Sequence, residues 1–205
     1  MIKINSVTTK SGDCGKTICF GWKTSRKYDE DVEFIGNLDE LNCHIGNILK
    51  NIGFFAKFCT FLYKFIEFFH EISEPKILLE KKFFEKLQHD LFEIGKMFLK
   101  KNDENCENLI LEIEKNIEIL NKNLPELKSF LLQNGNNFVI SLHFARVSAR
   151  KTERTFWKFF DQIKKEKNDK EIEKIQKIGV FLNRLSDLIF VMIRRRKSKM
   201  WIQKL

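Results

Sequence analysis

Proline is nearly absent from this chain of 205 residues, where Pro75 and Pro125 are the only two, and glycine occurs only nine times. So few turn formers exclude a turn-rich β sandwich and a collagen-like chain. No two of the five cysteines (Cys14, Cys19, Cys43, Cys59, Cys106) stand in a C-x-x-C spacing. Neither a zinc ribbon nor a redox dithiol is indicated, and the plain reading is reduced thiols in a cytoplasmic protein. His44, His70, His89 and His143 show no HExxH spacing, and there is no G-x-S-x-G elbow. The commonest zinc-hydrolase and serine-hydrolase patterns are therefore missing. Met1-Ile2-Lys3-Ile4-Asn5 has neither an apolar core nor an Arg-rich amphipathic stretch, so no targeting segment is expected. The apolar run Phe54–Phe69 falls short of the roughly 20 residues that a membrane span needs. Lys57, Lys64, Glu67 and Glu71 interrupt it on one helical stripe, which reads as a packed amphipathic helix, with docking on a membrane surface as the alternative.

What the chain does have is enough apolar material for a core, at 43% hydrophobic residues, and 32% charged residues with a net charge of +9. An anionic ligand suits that charge: a nucleotide, a nucleic acid or an acidic lipid. A generally Lys-rich surface suits it as well. The densest block is Arg194-Arg195-Arg196-Lys197 with Lys199. It reads either as a solvated helix end complementing the dipole or as a surface for RNA or an acidic partner.

The length fits a single domain over residues 1–205. Residues 1–34 form a loop-rich arm, and residues 35–199 read as an all-α antiparallel helix bundle. A first helix begins near Asn37, where Asn37 and Glu40 are spaced as a capping box, and continues through Leu38, Leu41, Ile45, Ile48 and Ile52. The Phe-rich stretch follows and ends at Pro75. Further stripes run through Phe84, Leu87, Leu91, Ile94 and Phe98, and through Leu109, Ile113, Ile117 and Leu120. Past the turn Gln133–Asn137, another runs from Phe138 to Phe159. A charged linker over residues 161–170 precedes the last, from Ile175 to Met192.

Three constellations carry chemistry. Thr9-Lys10-Ser11-Gly12-Asp13-Cys14-Gly15-Lys16-Thr17 gathers glycines, hydroxyls and lysines that can cradle phosphate. It is not a P-loop, because that motif needs glycine where Lys10 stands; an ordinary polar turn is the other reading. On the penultimate helix, His143, Arg146, Arg150, Glu153 and Arg154 cluster, and the three arginines fall within an arc of roughly 80°. Like charges so close need an answer, from Glu153, Asp39 or Asp187 in an ion-pair lattice, or from a bound polyphosphate. On the last helix Asn183 and Asp187 share a face, as a buried polar network or as a ribose or phosphate contact.

Taken in order, these segments resemble the ATP:cob(I)alamin adenosyltransferases of the propanediol-utilisation type. The resemblance includes Thr9-Lys10-Ser11-Gly12-Asp13 with Gly15 and Thr17, Leu38-Asp39-Glu40-Leu41-Asn42, Gln88, and Phe130-Leu131-Leu132. It goes on through His143, Ala145-Arg146, Arg150, Glu153-Arg154 and Asn183-Arg184-Leu185-Ser186-Asp187. It covers most of the chain. It implies a five-helix bundle that forms a homotrimer, with ATP held at each interface between the arm of one copy and the arginine helix of the next. Thr9, Lys10, Ser11, Gly12, Asp13, Gly15, Thr17 and Lys27 would then surround the triphosphate and its Mg²⁺. Arg150, Lys151, Glu153, Arg154 and Asn183 would complete the nucleotide site. Asp39 would pair with Arg146 to position the centre, and Phe130 would lie under the corrin of the cobalamin substrate. No protein metal ligands are implied.

The expected partners are a flavin-type reductase and a cobalamin-dependent acceptor enzyme, with no nucleic acid and no membrane. The expected departures from the family pattern are Thr24 and Lys151 where arginine is usual, Gln133-Asn134 in place of a Pro-containing turn, an insertion near residues 53–80, and the basic C-terminal tail. A basic bundle binding RNA or an acidic partner is the alternative function, and a non-catalytic ATP- or corrinoid-binding relative is another.

Overall fold

A computed structural model describes Thr8, Lys10 and residues 12–19, 23–63, 74–97, 104–122, 124–127, 130–165 and 167–196, with backbone alone at 54–63, 74–79, 97 and 104–105. Among these residues the chain forms a short β-ribbon and five helices. They are β1 (Lys16–Ile18), β2 (Thr24–Arg26), α1 (Glu30–Tyr63), α2 (Glu74–Met97), α3 (Glu104–Asn121), α4 (Asn137–Ile163) and α5 (Asp169–Arg196). None of the described helices is long and apolar enough to cross a membrane.

The arm is less loop-like than its sequence suggests. β1 and β2 pair antiparallel, with Lys16 opposite Arg26 and Thr17 opposite Ser25. The ribbon is fastened to the bundle where the buried Ser25 hydroxyl donates to the Asp31 carboxylate, at 2.5 Å. Asp29 accepts from the Arg26 N–H at 2.7 Å and closes the turn into α1. Glu30, Asp31 and Glu33 then place three carboxylates in the first turn of α1, where the helix dipole favours them.

α1 therefore begins at Glu30, ahead of the expected start near Asn37. Asn37 is no cap: it is buried inside the helix, and its side-chain N–H₂ donates to Thr155 Oγ1 at 3.2 Å. Pro75 also does a different job from the one expected. It stands in the first turn of α2, where a missing N–H leaves no helical bond unmade, rather than closing a preceding helix. α1 runs on unbroken through Gly53 to Tyr63, so the first stripe and the head of the Phe-rich stretch are one helix, about 51 Å long. Lys57 of the expected amphipathic stripe is described in backbone alone; Lys64, Glu67 and Glu71, with residues 64–73 of the insertion expected near 53–80, lie outside the described residues.

The core is built by the stripes the sequence shows. Leu41, Ile45 and Ile48 of α1, Phe84 and Leu91 of α2, Leu109 and Ile113 of α3, Leu142 and Ala149 of α4, and Leu182, Leu185 and Ile189 of α5 are all buried together. α1 and α4 are also tied by polar rungs. Glu30 meets Gln162, Asn37 meets Thr155 and Thr152, Glu40 meets Lys151, and Asn47 and Asn51 both donate to Ser141. The rungs advance along α1 as they recede along α4, which fixes an antiparallel register.

α4 and α5 touch closely at Gly179. A Cβ there would stand 2.4 Å from the Trp157 ring and 2.7 Å from the Phe156 ring. Gly179→Ala is expected to destabilise the bundle by about 1–3 kcal/mol through overpacking. A thermal melt should show the midpoint falling by roughly 3–9 °C.

Candidate active site

Two regions of the molecule hold the residues singled out above. In the arm, Lys10 takes a positive φ of 57°, unusual for a residue with a Cβ. Two tight turns follow, Asp13 N–H to Lys10 O at 3.3 Å and Gly15 N–H to Gly12 O at 3.2 Å. The Lys27 N–H donates to Gly15 O at 2.9 Å, and Lys27 Nζ stands 2.9 Å from where a Gly12 Cβ would be. Glycine at position 12 is what lets the ammonium lie over the turn. The structure thus brings Lys10, Gly12, Asp13, Gly15 and Lys27 together, with Thr17 on the adjoining strand. Thr9 and Ser11 lie outside the described residues. So does the end of the basic block, Lys197 and Lys199.

The second region is the middle of α4. Arg150 and Arg154 are exposed, and Arg146 is half-buried with its guanidinium over the Phe190 ring, 5.9 Å from the centroid. Arg146 Nε is buried and has no hydrogen-bond partner among the described residues. Burial, and then the charge of Arg150, pull the Arg146 pKa below the ordinary guanidinium value. Among the described residues no carboxylate forms an ion pair with Arg146, Arg150 or Arg154; Arg154 donates instead to the Arg150 carbonyl at 3.1 Å.

The carboxylates proposed to answer these charges are elsewhere. Glu153 accepts from Asn183 Nδ2 at 3.3 Å. Asn183 Oδ1 in turn accepts from Arg184 Nη1 at 2.9 Å, and Arg184 Nε donates to Glu114 of α3 at 2.8 Å. Asp39 is exposed on α1 and level with the Glu40–Lys151 rung, roughly 8 Å along the axis from Arg146, so the two do not pair within one chain. Lys151 is held by Glu40 at 2.7 Å, and this hydrogen bond keeps the Glu40 carboxyl below its usual range against the opposing effect of burial. His44 stands 3.8 Å from Glu40 and stacks on Phe144 with ring centroids 5.7 Å apart.

Phe130 is 96% exposed on the connection between α3 and α4. The basic block at the end of α5 is not a bare charged surface. Arg194 bonds the Pro125 carbonyl and Asn121 Oδ1, and Arg196 pairs with Glu80.

Residues that sequence reasoning missed are Arg184 as a partner of Asn183, Glu114 and His44. Arg184 stands inside the Asn183–Asp187 segment, yet nothing local points from it to Glu114, 70 positions away.

The sequence profile of the cobalamin adenosyltransferases matches residues 7–196. The chain belongs to that family. Among its relatives, corrinoid adenosyltransferase MMAB of Bos taurus is 27% identical over 202 residues, covering 96% of this chain and 73% of the relative. The corrinoid adenosyltransferase of Bacillus subtilis is 29% identical over 190 residues, covering 91% and 83%. A solved structure of a variant PduO-type ATP:corrinoid adenosyltransferase from Lactobacillus reuteri, complexed with cobalamin and ATP, superposes with a TM-score of 0.66 at 24% identity. That match covers 93% of this chain and 90% of the other. The helix bundle of this adenosyltransferase is therefore the fold of the PduO-type proteins.

The Mg²⁺ expected with the nucleotide finds no protein cage. Among the described residues no three His, Cys, Asp or Glu side chains gather to hold a cation. The arm around Gly12 presents Lys10, Lys16 and Lys27, which repel one.

Proposed function

We propose that this chain performs the reaction of its family, moving the 5′-deoxyadenosyl group of ATP onto the cobalt of a reduced corrinoid and releasing triphosphate. The observation that carries the reading is the trio Arg146, Arg150 and Arg154, which no described carboxylate neutralises. Guanidiniums held in one arc match a polyphosphate in charge and in donor geometry. Reduced cobalt supplies the electron pair to the 5′-carbon, the C5′–O bond breaks, and triphosphate leaves with the bonding pair. Cobalt is the substrate nucleophile, so the protein needs none of its own. Its part is to fix the nucleotide and to stabilise charge on the leaving group.

The site is completed by a second copy in a homotrimer. Gln162 meets Glu30, so the arm's anchor is level with that end of α4. Arg154 is about 12 Å and Arg146 about 24 Å along the helix from there. A neighbour's arm, rather than the chain's own, then covers the arginines. Phe144 and Val147, 56% and 46% exposed beside the arginines on α4, give the neighbour an apolar surface. The unmatched Arg146 and the exposed Asp39 then pair across copies. Lys10, Gly12, Gly15, Thr17 and Lys27, with Thr9, Ser11 and Asp13, cradle the triphosphate, and Asn183, set by Glu153 and Arg184, meets the nucleotide beside Lys151. The protein works in the cytoplasm, receives reduced corrinoid from a flavin-type reductase and passes its product to a cobalamin-dependent enzyme.

The direct test adds ATP and chemically reduced cobalamin without oxygen. A light-sensitive cobalt–carbon product and free triphosphate are expected; folded protein that makes neither overturns the reading. Phe130 lies under the corrin and displaces the axial base, which eases reduction. Phe130→Ala should therefore slow turnover from cobalt(II) plus reductant about 10-fold or more, with a smaller effect on pre-reduced cobalamin. Equal slowing in both assays would refute that placement.

A further inference from the structure

The basic end of α5 has no part in the adenosyl transfer itself, yet it is tied to three other elements of the bundle. Arg194 donates from Nη1 to Asn121 Oδ1 at 3.4 Å and from Nη2 to the Pro125 carbonyl. Arg196 lies over the Phe138 ring, 4.3 Å from the centroid, and pairs with Glu80 of α2. Asn121 and Pro125 are where the connection leaves α3, and Phe138 is where it enters α4. Two residues apart on a helix, side chains point to nearly opposite sides, so one turn can reach both stems. Phe130, 96% exposed, lies between them in sequence. Binding residues are often carried on such connections, and a loop is only as well placed as its stems.

We propose that the last turn of α5 positions the Phe130 loop: Arg194 holds the outgoing stem and Arg196 the returning one, and together they set where Phe130 meets the corrin. The proposal rests on the reading that Phe130 lies under the corrin. Arg194's fork bridges a side-chain oxygen and a main-chain oxygen, which a lysine's single ammonium does less well. The helix C-terminus favours both cations and keeps the turn formed. Arg195, exposed between them, takes no part.

The test uses the full chain with ATP and cobalt(II) cobalamin, following loss of the axial ligand by visible absorption and electron paramagnetic resonance. Hydrogen exchange over residues 124–136 is read on the same samples. Arg194→Gln and Arg196→Ala should keep ATP affinity within about twofold, speed exchange in the loop, lose most of the axial-ligand-free signal and slow the reduction-coupled reaction about 10-fold. Arg195→Ala should match the unaltered protein in all four measurements, and Arg194→Lys should fall between. Unchanged loop exchange in Arg194→Gln and Arg196→Ala overturns the stapling. Faster exchange with a full axial-ligand-free signal overturns its link to Phe130. Should Phe130→Ala itself retain that signal, the reading beneath the proposal fails, and the exchange data still report separately on the staple.

Discussion

Arg150→Ala is expected to lower the adenosyl-transfer rate by about 10²–10³-fold with the fold intact, the range for removing one charge-stabilising donor from a reacting centre. Arg150 is exposed, and no described carboxylate pairs with it, so its loss leaves no buried partner stranded. ATP affinity should fall with the rate. Arg146→Ala should cripple turnover as well, but with a different thermal signature. Its guanidinium is disfavoured in the folded state by burial and by Arg150, so the charge works against stability. An arginine side chain is not deprotonated in proteins, so no pH dependence in the working range follows. The expected result is a poor catalyst whose melting midpoint is not reduced beyond the small loss of packing against Phe190. Full activity in Arg146→Ala, or a collapse of stability in Arg150→Ala, would remove the polyphosphate role from α4.

Mixing two dead variants should restore activity. Lys27→Ala removes the ammonium over Gly12 in the arm, and Arg150→Ala disables α4. When each site joins one chain's arm to another chain's α4, randomly mixed trimers of equal proportions contain about one quarter intact sites. Chains unfolded and refolded together should recover that fraction of activity, while each variant alone stays inactive. Sites assembled within single chains would recover none. The mass of the assembly in solution, read on the same samples, ties the outcome to the trimer.

The α-helical stripes were legible because apolar residues recur every three or four positions, as at Leu38, Leu41, Ile45 and Ile48, and a core-facing helix needs no other information. The start of α1 was harder. Its signal is electrostatic, three acids in one turn, and an asparagine with a cap-like spacing drew attention away from it. That asparagine bonds Thr155, 118 positions distant, which no local pattern announces. Pro75 was ambiguous because the same missing N–H can end one helix or open the next. The arginine cluster was legible as a cluster. Its relation to Glu153 was not, since an amide from α5 takes up that carboxylate through a contact between distant helices. The grouping of Gly12 with Lys27 depends on the β-ribbon, whose strands of three residues each are too short to show alternation.

Asn37, Asn47 and Asn51 make the alignment of α1 on α4 selective rather than merely tight. Sliding one helix by a turn, about 5.4 Å, would keep much of the greasy contact but strand the buried Asn37 amide and Thr155, and break the bonds of Asn47 and Asn51 to Ser141. Polar residues in such positions trade some stability for a single alignment. Drift among the apolar positions can then change how strongly the bundle holds without changing which turn of α1 meets which turn of α4. An Asn37→Leu exchange reverses the bargain at the buried rung, adding apolar surface to the seam while giving up the bond to Thr155.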